Sequence, residues 1–156
     1  MLFRSHALHG TCAQLTDLIS ACGDWRLWPL CARSAMQGAH EHAQDRLVLV
    51  GDAAHPMLPY LAQGAGMAIE DARVLATHLT EVSVGDVPKA LEQFALARWQ
   101  RNARVQARAA RNGQIFHASG LMRVGRDMGL RLMGGRLMDM PWLYGYRAEA
   151  ETVAGI

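Results

Sequence analysis

The sequence predicts an α/β chain that is mostly helical after one buried strand, and three features carry that reading. Leu47, Val48, Leu49 and Val50 form an unbroken β-favouring apolar run ended by Gly51-Asp52, the pattern of a strand covered on both faces. Pro56, Pro59, Gly64 and Gly66 follow, making a loop that cannot be regular because of its prolines and can approach something closely because of its glycines. From residue 67 to 79 the periodicity turns helical, with Ala68, Ala72, Leu75 and Leu79 on one face and Glu70, Arg73 and Thr77 on another.

The flanking segments are read in the same way. Residues 11–22 place Leu15, Leu18 and Ile19 at helical spacing, and Gly23 is a natural stop. In residues 24–30, Trp25 and Leu27 fall on one side of a short strand, with Pro29 at its edge or exit. Residues 32–44 are small, polar and His-containing, as a connection is. Pro88 suits the first turn of a long helix that should stop at Asn112-Gly113. Arg98, Arg101, Arg104, Arg108 and Arg111 recur on it at three- and four-residue steps and share one broad face. A second helical stretch covers 114–133, followed by the Gly134-Gly135 break and an aromatic tail of Trp142, Leu143, Tyr144 and Tyr146.

Composition bounds the function. A length of 156 residues with 51% apolar content suffices for one domain with a core. Cys12, Cys22 and Cys31 are odd in number and lack C-x-x-C spacing, so reduced, partly buried thiols are expected in place of a disulfide framework or zinc site. No apolar run approaches the ~18 residues of a membrane span and the N-terminus has no signal-peptide core, so no integral span and a cytoplasmic location are expected. Between Arg98 and Arg147 lie ten arginines against only Asp127 and Asp139. A basic helix suits nucleic acid, but no aromatic interleaving accompanies this one, and no nucleic-acid partner is expected. Residues 123–142 are a rival candidate for an interfacial membrane helix, interrupted by the glycine pair. His40-Glu41-His42 lacks a third ligand at a sensible spacing and is read as a solvated loop, not a metal site. Met122, Met128, Met133, Met138 and Met140 are read as pliable packing.

The chemistry concentrates where the strand meets the helix. The free N–H groups of a helix start, with its dipole, favour negative charge. Asp52 stands at the carboxyl end of a strand, where open α/β sheets bind ligands, and its carboxylate can accept hydrogen bonds from sugar or polyol hydroxyls. An ordinary strand-to-helix connection with a capping aspartate fits the same residues.

The run DRLVLVGDAAHPMLPYLAQGAGMAIEDARVLATHL resembles the second FAD-contacting motif of the class A flavoprotein monooxygenases, the para-hydroxybenzoate hydroxylase family, through its GDAAH, P-x-x-x-Q-G and G-x-x-x-A-I-E-D-A elements. Its MLPYLAQGAGMAIEDA wording is most similar to the salicylate hydroxylase and 3-hydroxybenzoate 6-hydroxylase branch. RNARVQARAARNGQIFH and WLYGY resemble that branch's C-terminal helices, so the likeness spans most of residues 24–147. The resemblance implies the C-terminal portion of a FAD-binding fold: 1–44 as the end of a substrate-binding sheet region with a short helix, 45–84 as the strand-loop-helix of the FAD-binding domain, and 85–156 as C-terminal helices and aromatic tail.

It also implies a site. Gly51, Asp52, Gly64, Ala65, Gly66 and Met67 would surround FAD, with Asp52 bonded to the ribityl chain and the Gly66 and Met67 amides facing the pyrimidine edge of the flavin. Negative charge develops at that edge on reduction, and a pre-oriented helix start stabilises it. The Pro59 carbonyl would line the substrate pocket, His55 would belong to the loop scaffold, and no residue of this chain is assigned as catalytic. The implied cofactors are FAD, with NADH or NADPH as reductant, and the implied partners are a small phenolic or benzoate-type aromatic and O2.

Two departures qualify the likeness. No G-x-G-x-x-G occurs, since Gly64-x-Gly66 is followed by Ile69 where the third glycine would stand, and the family's middle D-G motif is absent. The expectation is therefore an enzyme piece whose partner is a missing N-terminal FAD domain, the alternative being a truncated fragment without catalytic function. A strand at 47–50 without neighbours, and an arginine face assigned to that absent domain, would leave the isolated chain poorly soluble or molten. It would bind FAD no better than about millimolar, or roughly −4 kcal/mol.

Overall fold

In a computed structural model the described residues are 10–24, 26, 28–134 and 139–148. They fall into two compact units, 1–30 and 31–156, each considered by itself. The first holds helix α1, Ala13–Ala21, in which no residue is buried. The strand expected near 24–30 rests on Trp25 and Leu27, which lie outside the described residues; Asp24, Arg26 and residues 28–30 take no regular structure. All three cysteines are exposed, contrary to the partial burial expected of them, because the described residues next to each of them are themselves largely exposed.

In the second unit a hairpin pairs β1, Ala43–Gln44, antiparallel with β2, Leu47–Val48, in the register Ala43↔Val48 and Gln44↔Leu47. Asp45 turns it with φ +50°, a left-handed value that Asp tolerates and a two-residue connection needs. Two 3-10 turns follow, Gly51–Ala53 and Pro59–Leu61, and lead into α2, Gly64–Leu79. Then come α3, Val87–Phe116, with Pro88 in its first turn, α4, Gly120–Met133, and the short α5, Pro141–Tyr144. α3 is the spine. Its buried residues Leu91, Phe94, Arg98, Asn102, Val105, Ala109 and Gly113 recur at three- and four-residue steps and form one stripe. Leu61, Met67, Val105, Ala109, Met140 and Leu143 close the apolar core where the loop, α2 and α5 meet that stripe.

The expected strand at 47–50 is shorter and barer than its sequence suggests: only Leu47 and Val48 are paired, Leu47 is 76% exposed, and Leu49 and Val50 are exposed as well. Apolar character specifies a strand that wants cover, and among the described residues no third strand lies beside it. α2 begins two residues earlier than Gly66 and buries Met67, Asp71 and Val74, not the face of Ala68, Ala72, Leu75 and Leu79. α3 runs through Gly113 to Phe116, because this glycine serves close approach: a Cβ there would lie 2.7 Å from the Tyr60 ring. The break expected after 113 falls at 117–119 instead, where the His117 ring bonds Gly113 O at 2.8 Å and Gly120 takes φ +55° to start α4. Met122, Met128 and Met133 are exposed on α4, so of the methionines expected to pack only Met140 is buried; Met138 lies outside the described residues. Gly134, φ +51°, ends α4, as the expected glycine break requires, and Gly135 is also outside the described residues.

Candidate functional site: the turn between β2 and α2

Val50 is extended, and the chain then reverses at Gly51, whose φ is +58°. Gly51 is buried, and a Cβ on it would sit 3.2 Å from that of Ala68, so both its conformation and its packing against α2 demand glycine. The 3-10 turn it opens is closed by Ala54 N–H and His55 N–H on Gly51 O, at 3.0 and 2.9 Å. Asp52 is thereby turned outward and exposed. Its Oδ1 lies 3.8 Å from the point a Cβ on Gly64 would occupy, which puts the carboxylate beside the start of α2.

That helix start has no side-chain cap. Gln63 occupies the cap position, and the first intrahelical amide bond is Met67 N–H to Gln63 O at 2.9 Å. Met67 is also fully buried as a core side chain, so the amides that precede the hydrogen-bonded ladder are those of Gly64, Ala65 and Gly66. Asp52 is close to them without capping them, which separates it from the ordinary capping aspartate. Pro59 begins the second 3-10 turn, where its carbonyl accepts Ala62 N–H at 3.1 Å and keeps a second lone pair.

Behind the turn lies a buried polar network. Asp71 of α2 accepts four hydrogen bonds: Arg98 Nε at 2.9 Å and Asn102 Nδ2 at 3.0 Å on Oδ1, His55 Nε2 at 2.6 Å and Gly51 N–H at 3.4 Å on Oδ2. Asn102 Nδ2 also donates to His42 Nε2 at 2.9 Å, and its Oδ1 accepts from Arg98 Nη2 at 3.3 Å. His42 Nδ1 therefore carries the proton it gives to Leu49 O at 2.7 Å. Arg98 Nη2 reaches Glu70 at 2.8 Å and Nη1 reaches the Tyr146 hydroxyl at 2.9 Å. Arg101 chelates Glu70 through Nε and Nη2 at 2.7 and 2.8 Å and bonds the carbonyls of Trp142 and Leu143. The Arg101 and Arg104 guanidinium carbons lie 3.7 and 4.0 Å from the centroids of Tyr146 and Trp142. The arginine face expected to await an absent domain is thus engaged at three of its five positions inside the chain, and it straps the aromatic tail to α3.

The charges follow from these contacts. Burial opposes ionisation of Asp71, but the bonds from His55, Asn102 and Arg98 outweigh it and hold the carboxyl at about 2. Burial likewise opposes the Arg98 cation, and its bond to Asp71 more than compensates, raising it further. His42 is pushed down, chiefly by burial. His42, His55 and Asp71 offer ligand atoms within 4.8 Å of one another. Yet both Nε2 atoms and both Asp71 oxygens are already committed to hydrogen bonds, and a guanidinium sits against the carboxylate, so the trio is a hydrogen-bond network and not a metal centre.

Of the residues expected around the cofactor, Gly51, Asp52, Gly64, Ala65 and Gly66 lie along the turn and helix start, whereas the Met67 amide expected to face the flavin edge is taken by Gln63 O because Met67 already stands inside the hydrogen-bonded ladder with its side chain in the core. The sequence reading took His42 for a member of a solvated loop, whereas the side chain is fully buried. It missed Asp71, Arg98 and Asn102 as a unit. The signal was present: Asp71 sits four residues after Met67 and three before Val74, and Arg98 and Asn102 sit between Phe94 and Val105, polar residues in an apolar register.

Comparison with known proteins identifies the family. The family described as FAD binding domain matches residues 26–112. The chain is 37% identical to the 3-hydroxybenzoate 6-hydroxylase of Polaromonas naphthalenivorans over 139 residues, covering 88% of this chain and 34% of that protein. It is 40% identical to 3-hydroxybenzoate 6-hydroxylase 1 of Aquipseudomonas alcaligenes, covering 83% of this chain and 32% of that protein. It is 38% identical to the 3-amino-4-hydroxybenzoate 2-monooxygenase PtmB3 of Streptomyces platensis, covering 91% and 35%. A solved salicylate hydroxylase substrate complex superposes with a TM-score of 0.77 at 27% identity, over 98% of this chain and 37% of that one. The chain thus spans about a third of the length of the curated relatives it matches. Sharing the family's matched segment, its strand-turn-helix and its fold, the chain belongs to the FAD-binding-domain family of the class A FAD-dependent aromatic-ring monooxygenases.

Proposed function

We propose that this chain supplies part of the flavin site of a cytoplasmic monooxygenase that uses FAD, NADH or NADPH, and O2 to hydroxylate a small phenolic or benzoate-type aromatic. The observation that carries the reading is the pairing of an uncapped helix start at Gly64 with the exposed, non-capping Asp52 carboxylate beside it. The residues fit the cofactor. A polyol chain brings hydroxyl donors to Asp52, and an electron-rich ring edge suits the amides of Gly64, Ala65 and Gly66 at the positive end of the α2 dipole. Glycine at 64 keeps the backbone bare beside Asp52, and at Gly66 a Cβ would crowd Gln63 Oε1 at 3.2 Å.

Bound there, FAD would supply the redox chemistry that couples a reduced nicotinamide and O2 to ring hydroxylation. The chain's own residues bind and orient. Gly51 sets the reversal, Asp52 holds hydroxyls, the helix start favours negative charge, and the Pro59 carbonyl lines the substrate pocket. In this division residues 45–84 carry the flavin contacts and 85–156 buttress them, while 1–44 belong with the substrate sheet and an N-terminal FAD domain completes the site. The basic face of α3 serves this scaffold, not nucleic acid, since Arg98, Arg101 and Arg104 are used internally. Among the described residues no helix is long and apolar enough to cross a membrane.

The test is a hybrid in which this chain replaces the segment it matches in the Polaromonas 3-hydroxybenzoate 6-hydroxylase. A yellow protein with aromatic-stimulated NADH or NADPH oxidation and hydroxylated product is expected. A folded hybrid that holds no flavin contradicts the reading and favours a non-catalytic fragment.

A further inference from the structure

The polar network does more than fill the space between α2 and α3: it grips the Asp52 turn at both ends. On the strand side, His42 takes Leu49 at two points, its ring donating to Leu49 O at 2.7 Å and its own carbonyl accepting Leu49 N–H at 2.9 Å. On the helix side, Asp71 holds Gly51 N–H and the His55 ring. Asn102 joins the two halves, since its amide nitrogen donates to both His42 Nε2 and Asp71 Oδ1. All four side chains are buried. Residues 50–54, between the grips, contain Asp52; within them Gly51 N–H is held by Asp71 and the backbone closes its own 3-10 turn.

His55 is the revealing member. Its Nε2 faces an ionised carboxylate and must donate, while its Nδ1 is buried with no hydrogen-bond partner among the described residues. The bond to Asp71 is therefore the one polar contact that fixes the ring. A histidine kept only for packing would not need an unpaired buried nitrogen, a feature that costs about 1–3 kcal/mol in general.

We infer that Asp71, His55, Asn102 and His42 are positioning residues that clamp the Leu49–His55 segment and thereby set the direction of the Asp52 carboxylate toward the cofactor. The inference rests on the proposed flavin reading for its purpose, but the clamp itself is a property of the chain without ligand. His55 carries its proton on Nε2 and His42 on Nδ1, and the two tautomers are opposite because one ring donates to Asp71 where the other accepts from Asn102.

The experiment uses the 156-residue chain labelled with 15N, as parent, His55→Leu and His55→Gln. Imidazole 15N spectra are expected to show His55 protonated at Nε2 and His42 at Nδ1. Hydrogen exchange at the Gly51 amide is expected to quicken in His55→Leu and to return toward the parent in His55→Gln, whose side-chain N–H can still donate to Asp71. With FAD added to millimolar concentration, the shift it produces at the Asp52 amide should fall about fivefold in His55→Leu and recover in His55→Gln. Urea melts and the exchange of buried α3 amides separate this from a general loss of stability, which would quicken all the protected amides together and not Gly51 in particular. The opposite tautomer at His55, or unchanged Gly51 exchange in His55→Leu, overturns the clamp. If FAD moves no amide of the turn in the parent, the flavin reading of the turn fails, and the tautomers and Gly51 exchange still decide the clamp.

Discussion

The Arg98 guanidinium of α3 stands 2.9 Å from the Asp71 carboxylate of α2, and neither side chain has any exposure to solvent. Two charges withdrawn this far persist because each is saturated by further partners, and removing one leaves the other buried and uncompensated. Arg98→Met is therefore expected to lower the unfolding free energy by roughly 3–5 kcal/mol, read from urea denaturation. Arg98→Lys should recover only part of it, since an ammonium cannot span Asp71, Glu70 and Tyr146 together. A midpoint within error of the parent for Arg98→Met would contradict the network.

The same network makes stability fall with acid in two stages. Asp71 ionises at about 2 in the fold against 3.8 as an unperturbed group. Its contribution, on the order of 2 kcal/mol, is present above 3.8 and lost as pH falls toward 2. His42 is held below its ordinary 6.5, so the folded state resists protonation that the unfolded chain accepts, and stability also declines as pH drops below 6.5. Denaturation midpoints from pH 8 to pH 2 should show both declines; His42→Gln should reduce the upper one, to which His78, also lowered by burial, contributes, and a flat profile would refute the assignment.

How much of this was legible in the sequence differs from element to element. The strand-turn-helix was readable because Gly51-Asp52 and the loop glycines answer to local backbone rules that act within a few residues. The face that α2 buries was not, because Asp71 looks like a surface residue until Arg98 and Asn102, far along the chain, are brought against it. The arginine periodicity was seen but its destination was misjudged: three- and four-residue spacing fixes a face, while partners such as Glu70 and Tyr146 come only from tertiary packing. Gly113 shows the same limit, since a glycine that ends a helix and one that admits a tyrosine ring look alike in sequence.

Two glycines in helices should respond oppositely to alanine. At Gly113 a Cβ would press into the Tyr60 ring at 2.7 Å, and overpacking of this kind costs about 1–3 kcal/mol. At Gly125 of α4 nothing lies within 4 Å, so Gly125→Ala should stabilise by roughly 0.5–1 kcal/mol through helix propensity alone. Thermal melts of both variants test this, and equal shifts would contradict the account of Gly113.

Self-association of the isolated chain should start at its bare hairpin edge, where Leu47 is 76% exposed beside exposed Leu49 and Val50. Leu47→Lys places a charge on the exposed apolar strand of the hairpin and is expected to shift the sedimentation profile toward monomer and raise solubility. No change in sedimentation would point to another surface, the exposed Leu121, Val124, Met128 and Leu132 of α4 being the first to examine.

The central claim is that the β2-to-α2 turn holds flavin, and amide NMR of the chain titrated with FAD tests it most directly. Affinity no tighter than about millimolar is expected for this third of the fold, but the shifts should map to Gly51, Asp52, Gly64, Ala65 and Gly66. Asp52→Ala should weaken them by about 1.5–3 kcal/mol of binding energy while leaving the rest of the spectrum in place. Shifts confined to other surfaces, or an Asp52→Ala protein that responds to FAD as the parent does, would contradict the account.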